Sequence, residues 1–278
     1  MNAVVSLMRV LPQNAISKTI GFLVSADLPG PIAITVRNIL IAAFRINTEE
    51  AELSKDSYPS FGDFFVRKLK PGSRSITSAS FCSPCDGTLK QSIPAAKEVN
   101  VKGIDYQIDT LIFGKAAKTD TSFSAYWLID IYLAPYNYHR VHMPFSGTLK
   151  SVRHVPGKLW PVNPYFVNRV PKLFAQNERL IFEIESDEGG KAYLTMVGAL
   201  NVGKIEAADA PSLTTNCGHS EERLQLFETP IHKDAGEELG TFHMGSTVIM
   251  VMDQTLTSNL ALEPTKRLKP VLMGQTLS

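Results

Sequence analysis

Short apolar stretches bounded by glycine and proline dominate this chain beyond Tyr58. They are rich in β-branched and aromatic residues and are too short for typical helices, as in residues 125–132, 179–185, 192–197 and 247–252. A run of this kind predicts a strand, and several in succession predict a sheet-rich body. We therefore expect an α+β fold in which residues 58–278 form a mainly β, barrel-like or sandwich-like domain.

The first 57 residues differ from this body. Apolar residues recur there at helical spacing, as in Val4, Leu7, Met8 and Leu11, and Pro-Gly-Pro at 29–31 separates two predicted helices. Residues 1–48 hold four basic side chains and one acidic side chain. No uncharged apolar run reaches the roughly 18 residues that cross a bilayer. We expect residues 1–57 to be a helical segment at a membrane interface; two helices packed on the body are the alternative.

One seven-residue pattern occurs twice in the body. Residues 84–90 read Pro-Cys-Asp-Gly-Thr-Leu-Lys, and sixty positions later residues 144–150 read Pro-Phe-Ser-Gly-Thr-Leu-Lys. Each copy predicts a turn that leads into a strand. Asp86 lies in the first copy and His142 just before the second, so pairing of the copies would bring these side chains close. A chance repeat of turn residues is the alternative.

Gly245-Ser246 stands at the start of the apolar run 247–252. Glycine has no Cβ, so its carbonyl can be approached closely and its backbone can adopt a strained turn. Attack of the Ser246 Oγ on the Gly245 carbonyl would convert the peptide bond to an ester. Loss of the Ser246 Cα proton would then expel the upstream chain and leave dehydroalanine, which hydrolyses to a pyruvoyl group. A plain Gly-Ser turn, as at Gly72-Ser73, is the alternative.

A serine of this kind needs a positioned base, usually a histidine oriented by a carboxylate. Residues 136–144, Tyr-Asn-Tyr-His-Arg-Val-His-Met-Pro, supply His139 and His142, and the turn before residue 88 supplies Asp86. Taken alone, Asp86 is equally compatible with a turn aspartate that bonds nearby backbone. The two histidines are equally compatible with ordinary burial. Their coincidence with Gly245-Ser246 favours the catalytic interpretation.

Together these motifs resemble the pyruvoyl-dependent phosphatidylserine decarboxylases of the bacterial and mitochondrial membrane type. The family's Leu-Gly-Ser-Thr signature reads Met-Gly-Ser-Thr at 244–247, and methionine fills a similar apolar volume. The other matching segments are Pro-x-Asp-Gly at 84–87, Tyr-His-Arg-Val-His-Met-Pro at 138–144, Asn-Glu-Arg at 177–179 and Val-Gly-Ala at 197–199. The resemblance runs from about residue 60 nearly to the end of the chain.

By this resemblance Asp86, His142 and Ser246 are the self-processing triad, and His139 handles the substrate's carboxylate or the proton that replaces it. The catalytic domain, residues 58–278, is then cleaved between Gly245 and Ser246, which gives chains 1–245 and 246–278. The resemblance implies decarboxylation of phosphatidylserine to phosphatidylethanolamine and carbon dioxide. The reaction would use a Schiff base with the pyruvoyl group made from Ser246, the cofactor.

The implied partners are phosphatidylserine in an anionic membrane and the protein's own small chain. We expect peripheral attachment to the cytoplasmic face of a bacterial inner membrane, and self-association as a homodimer stays open. A net charge of +1 argues against nucleic acid as a partner. Three cysteines argue against a disulfide framework and suit a reducing compartment.

Other functions stay open from the residues alone. Asp86, His142 and Ser246 also follow a chain order found in serine hydrolases, although a G-x-S-x-G turn would need glycine where Met244 and Val248 stand. A metal ion held by the two histidines and Asp86, or by a zinc set of Cys82, Cys85, Cys217 and His219, is a weaker alternative, and we expect no metal. A membrane-binding scaffold is the third. Self-processing predicts two chains after denaturation, whereas the hydrolase and scaffold predict one.

Overall fold

The computed structural model describes residues 3–25, 28–77, 81–95, 98–101, 104–114, 123–200, 204–244, 247–258, 260 and 262–277. Within these residues the chain forms eight α-helices and thirteen β-strands. The helices are α1 (Ala3–Val10), α2 (Gln13–Ser25), α3 (Gly30–Phe44), α4 (Phe61–Phe65), α5 (Ile108–Phe113), α6 (Pro164–Val167), α7 (Leu173–Gln176) and α8 (Gln254–Thr257). The strands are β1 (Gly87–Pro94), β2 (Glu98–Val101), β3 (Ile104–Gln107), β4 (Ala125–Tyr132), β5 (Arg140–His142), β6 (Gly147–Val155), β7 (Arg179–Ser186), β8 (Lys191–Val197), β9 (Ile205–Ala207), β10 (Arg223–Lys233), β11 (Glu238–Phe242), β12 (Thr247–Asp253) and β13 (Lys269–Val271).

A large antiparallel sheet dominates the fold, and its strand order is β10-β6-β7-β8-β12-β4-β1-β13. A second sheet has the order β5-β11-β9, and β2 and β3 form a hairpin. The four strands predicted from apolar runs are β4, β7, β8 and β12, which are neighbours at the centre of the large sheet. The α+β prediction is therefore confirmed.

The large sheet is open. Among the described residues its edges are β10 and β13, which do not pair with each other, so the barrel, one of the two predicted alternatives, is not formed there. A barrel needs a continuous ladder between its first and last strands. Here β13 is only three residues long, and the pairing of β10 with β6 breaks register between Leu226 and Ile231.

The repeated heptapeptide forms two equivalent turns. Strands β1 and β6 both begin at the glycine of their copy. The backbone N–H of Cys82 donates to the carbonyl of Pro144, and the N–H of His142 donates to the carbonyl of Pro84, both at 2.8 Å. Cys82 and His142 are sixty positions apart, and so are Pro84 and Pro144. Each copy therefore makes the same hydrogen bond to the other, and the two copies pair as the sequence predicts.

The N-terminal helices pack on the body through one side. Helices α2 and α3 both contact α4. The side chain of Gln13 accepts a hydrogen bond from the backbone N–H of Leu159 at 3.0 Å. On α3 the buried guanidinium of Arg37 donates to the carbonyl of Tyr58 at 2.5 Å and to Asp56 at 2.7 Å. These contacts fix the position of the helices relative to the sheets.

The same helices expose apolar side chains on other faces. Leu7 is 59% exposed, and Ile39 is 60% exposed. The further exposed members of this set are Val4, Val10, Ile32 and Ile34. No helix in the described part of the chain is long and apolar enough to cross a membrane. The division into residues 1–57 and 58–278 stays a prediction.

Candidate active site

The sequence motifs lie together at one end of the central strands of the large sheet. Thr247, the first residue of β12, pairs with Val197 of β8 on one side and with Tyr132 of β4 on the other. Val197 pairs in turn with the first residue of β7, and Tyr132 pairs with the second residue of β1. The motif segments that precede β1 and β7 and follow β8 therefore lie beside the start of β12. Alternate strands of a sheet are roughly 10 Å apart, so these segments can converge on one site.

The predicted cleavage pair, Gly245 and Ser246, lies outside the described residues, but both of its flanks are described. Upstream, the N–H of Phe242 donates to the carbonyl of His139, and the N–H of His243 donates to the carbonyl of Lys204, both at 2.9 Å. Downstream, β12 begins in the large sheet. The chain is thus anchored in the small sheet before the pair and in the large sheet after it.

The carboxylate of Asp86 is buried and accepts three hydrogen bonds. Arg74 donates through Nε to Oδ1 at 2.9 Å and through Nη2 to Oδ2 at 2.5 Å. The backbone N–H of Met273 donates to Oδ1 at 2.8 Å. Arg74 also pairs with Glu50 at 2.9 Å. The hydrogen bonds that Arg74 donates to Asp86 are the main cause of the raised pKa of Arg74, so this guanidinium stays charged and fixes the carboxylate.

The imidazole of His142 is held by a backbone carbonyl and a phenol. Its Nδ1 lies 2.7 Å from the carbonyl oxygen of Gly236, and its Nε2 lies 3.0 Å from the hydroxyl of Tyr138. A carbonyl can only accept, so Nδ1 carries the proton and Tyr138 donates to Nε2. Burial lowers the pKa of His142, although the carbonyl and nearby carboxylates act in the opposite direction. His142 is therefore a neutral base whose acceptor nitrogen meets Tyr138.

The structure brings Asp86 and His142 near each other without a direct bond. In the described part of the chain no hydrogen bond joins their side chains, because Arg74 occupies the carboxylate and Tyr138 occupies the imidazole. The negative charge of Asp86 nevertheless acts to raise the pKa of His142. This influence is smaller than those of burial, the Gly236 carbonyl and the neighbouring charges, and the net pKa stays lowered. The triad with Ser246 stays a prediction.

His139 is fully buried, and one of its ring nitrogens has no partner in the described part of the chain. Its Nδ1 lies 2.8 Å from the carbonyl oxygen of Asn137, and its ring centroid lies 4.2 Å from that of Phe65. Within the described residues Nε2 has no hydrogen-bond partner. Burial lowers the pKa of His139 to about 3, so the ring is neutral with an unused lone pair at Nε2.

The backbone of His139 pairs with the end of β11, and the backbone of His142 pairs with its beginning. The carbonyl of His139 binds Phe242, three positions before Gly245, whereas His142 pairs with Glu238 at the far end of β11. Strand residues advance about 3.3 Å each. His139 is therefore the histidine whose backbone adjoins the approach to the predicted cleavage site.

Three groups that support the site were not singled out from the sequence: Arg74, Tyr138 and Glu238. Tyr138 and Glu238 lie inside or next to the matched motifs, but nothing in the pattern assigned them a partner. Glu238 forms a two-pronged pair with Arg140, with Nη1 at 2.8 and 2.6 Å from its oxygens. Arg140, a charged residue inside the histidine motif, was the available signal for a carboxylate partner such as Glu238, whereas Arg74 carried none.

The alternative metal sites gain no support from the described residues. No group of three or more histidine, cysteine, aspartate or glutamate side chains among them could hold a metal ion. Cys82 and Cys85 are buried, and burial raises the pKa of the Cys82 thiol to about 11. Cys217 is exposed.

Comparison with known proteins agrees with the motifs. A family model described as phosphatidylserine decarboxylase matches residues 61–278. The phosphatidylserine decarboxylase proenzyme of Anaeromyxobacter sp. (strain K) is 39% identical over 254 residues, which cover 90% of this chain and 89% of the relative. The proenzyme of Alcanivorax borkumensis is 37% identical, over 90% of this chain and 87% of the relative. The proenzyme of Brevibacillus brevis is 35% identical, over 98% of this chain and 96% of the relative. The chain belongs to the phosphatidylserine decarboxylase family.

Proposed function

We propose that this phosphatidylserine decarboxylase cuts its own chain between Gly245 and Ser246 and converts Ser246 into a pyruvoyl group. The observation that carries the proposal is the anchoring of both flanks: Phe242 is bonded to His139, and β12 begins at Thr247 in the large sheet. A peptide held at both ends in different sheets has few conformations available, and such restraint favours attack of a neighbouring hydroxyl. Processing gives chains 1–245 and 246–278.

Asp86 and His142 serve this processing step in our proposal. His142 is neutral. The lone pair at its Nε2 can accept the serine proton once the Tyr138 hydroxyl no longer donates a hydrogen bond to this nitrogen. Asp86, fixed by Arg74, supplies a negative charge that favours the imidazolium formed in this step. The pairing of the repeated turns supports these roles because it brings both side chains to the same end of the sheet.

The pyruvoyl carbonyl supplies the electron sink that loss of carbon dioxide from an amino acid requires. The residues at this end of the sheet fit such a group. His139 offers a buried nitrogen without a partner among the described residues, and its ring packs against that of Phe65. A negative substrate beside Nε2 would raise the pKa of His139, so that the ring can hold a proton and deliver it to the substrate carbon.

A lipid substrate requires access to a membrane surface, and we propose that residues 1–57 provide it. The exposed apolar side chains of α1 and α3 suit an interfacial helix pair. Apart from the buried Arg37, residues 1–48 hold three basic side chains against one acidic side chain, and this balance suits an anionic leaflet. We place the protein as a peripheral protein on the cytoplasmic face of a bacterial inner membrane, in keeping with this charge and with unpaired cysteines.

The test compares Ser246→Ala with Ser73→Ala, since Ser73 stands in the other Gly-Ser pair. Denaturing gels should show one uncut chain without activity for Ser246→Ala, and two chains with normal activity for Ser73→Ala. Mass spectrometry of the small chain should find a terminal ketone that reacts with borohydride. Two chains from Ser246→Ala would refute the cleavage site, and a single chain from the unaltered protein would favour a hydrolase.

A further inference from the structure

Arg67 is a buried cation with unmet hydrogen-bonding capacity. It follows α4 and is 3% exposed, and its guanidinium carbon lies 5.0 Å from the ring centroid of Phe64. In the described part of the chain, neither Nε nor Nη1 has a hydrogen-bond partner. Burial lowers the pKa of Arg67, although Asp86 and Glu50 act in the opposite direction. Buried charges are normally paired, so the Arg67 guanidinium is a candidate binding group for an anionic ligand.

Other buried arginines in this protein are better satisfied. Arg179 donates to four backbone carbonyls, at distances between 2.7 and 3.0 Å. Arg74 binds Asp86 and Glu50. The fold therefore supplies partners where an arginine is structural. Arg67 differs, because two of its donors have no partner among the residues that the structure describes.

Arg67 lies beside His139. Phe65 packs on the His139 ring, and the carbonyl of Val66 accepts a hydrogen bond from Nε of Arg140 at 3.0 Å, which fastens the end of α4 to β5. After burial and the Asn137 carbonyl, the Arg67 charge is the next influence on His139 and lowers its pKa further. Two buried groups with unused capacity thus adjoin: a cationic donor and an imidazole acceptor.

We propose that Arg67 binds the phosphodiester of the phosphatidylserine head group, an inference that rests on the proposed function. The substrate has two anionic groups, and the chemistry separates them. A cation on the carboxylate would stabilise the charge that must leave as carbon dioxide, and so would oppose the reaction. The phosphodiester keeps its charge throughout. Three bonds join its phosphorus to the carbon that His139 would protonate, so one ligand can reach both groups.

The location of α4 links this site to the membrane-facing segment. Helices α2 and α3 both pack against α4. Because Arg67 is almost fully buried, entry of the head group requires this helical layer to move. An approach from the layer that carries the exposed apolar side chains suits a substrate whose acyl chains stay in a bilayer.

Arg67→Gln and Arg67→Lys test the proposal in the full, self-processed enzyme with phosphatidylserine in mixed micelles. We expect both variants to yield two chains and to keep kcat within about threefold. A charge-assisted hydrogen bond lost from substrate binding should raise KM about 10- to 100-fold for Arg67→Gln, with partial recovery in Arg67→Lys. Arg153→Gln, a partly buried arginine on β6 next to Glu222, should leave KM unchanged. An unchanged KM, or a loss confined to kcat, in Arg67→Gln would overturn the proposal.

A second measurement needs no variant and decides the matter if Arg67→Gln does not fold. Glycerophosphoethanolamine and ethanolamine carry the same amine, but only the first carries the phosphodiester. We expect glycerophosphoethanolamine to inhibit the unaltered enzyme at least about tenfold more strongly, by competition with substrate. Equal inhibition would overturn the phosphate site. An unaltered protein that is cut normally but does not decarboxylate phosphatidylserine would refute the proposed function instead.

Discussion

Removing Arg74 should expose how strongly the site depends on a fixed Asp86. The change is Arg74→Gln in a Ser246→Ala background, which under the proposed cleavage site should keep the chain in one piece and allow a single unfolding transition to be followed. It deletes two hydrogen bonds to Asp86, at 2.9 and 2.5 Å, and one to Glu50 at 2.9 Å. Among the described residues, only the N–H of Met273 would then bind the carboxylate.

The size of the effect follows from burial. The side chains of Arg74 and Asp86 are 6% and 4% exposed. Removal of one member of a buried ion pair leaves a charge without compensation and costs about 3–5 kcal/mol. By contrast, Lys150 and Glu185 form a pair in which the two side chains are 42% and 45% exposed, so Lys150→Gln should cost about 1 kcal/mol or less.

The measurement is the free energy of unfolding from urea titration of the single-chain proteins at pH 7. Addition of Asp86→Asn to Arg74→Gln should recover part of the loss, because the uncompensated carboxylate is gone. In the Ser246 protein, Arg74→Gln should also slow the appearance of the small chain on gels. A loss for Arg74→Gln no larger than that for Lys150→Gln would refute the argument.

Two further predictions concern pH and the membrane. Burial holds the pKa of His139 at about 3 in the folded chain, against about 6.5 for an exposed imidazole. As pH falls, the unfolded chain therefore binds a proton that the folded chain does not bind. The stability that depends on a neutral His139 is complete above about pH 6.5 and should fall by about 2 kcal/mol between pH 7 and pH 5. A His139→Gln variant with the same pH slope would contradict this. Leu7→Glu, at a 59% exposed position, should weaken sedimentation with anionic vesicles about tenfold or more without changing the melting temperature. Leu226→Glu on β10, at a 67% exposed position, is the matched control, and equal loss in both would refute an interface on the N-terminal helices.

Local patterns in the sequence predicted the local structure well. The apolar runs became β4, β7, β8 and β12, and the two copies of the heptapeptide became paired turns. Both signals depend on neighbouring residues, because strand burial has a period of two and glycine marks a turn. Barrel closure was not predictable in this way, since it depends on how the short strand β13 and the bulged strand β10 end the sheet.

The hydrogen-bond partners of the site residues could not be predicted from sequence patterns. Asp86 was expected to act with His142, and the repeat did bring them near each other. Its hydrogen bonds, however, come from Arg74 and from the backbone of Met273, a residue 187 positions away. Such contacts arise when distant segments pack, and no spacing in the chain encodes them. The same holds for Arg67, whose significance lies in partners that it lacks among the described residues.

The spacing of the two histidines leads to a last prediction about the division of their roles. Side chains alternate between faces along an extended chain, so positions three apart point to opposite faces. In keeping with this, His139 packs on Phe65, whereas His142 meets Tyr138 and Gly236. His142→Gln should therefore leave one uncut chain, because the processing base is lost. His139→Gln should still yield two chains and a reactive ketone, but decarboxylation should fall about 10²- to 10⁴-fold, as expected when a proton donor is removed. Gels and carbon dioxide release from the same preparations separate the two outcomes. If both variants failed to be cut, the two faces would not act independently.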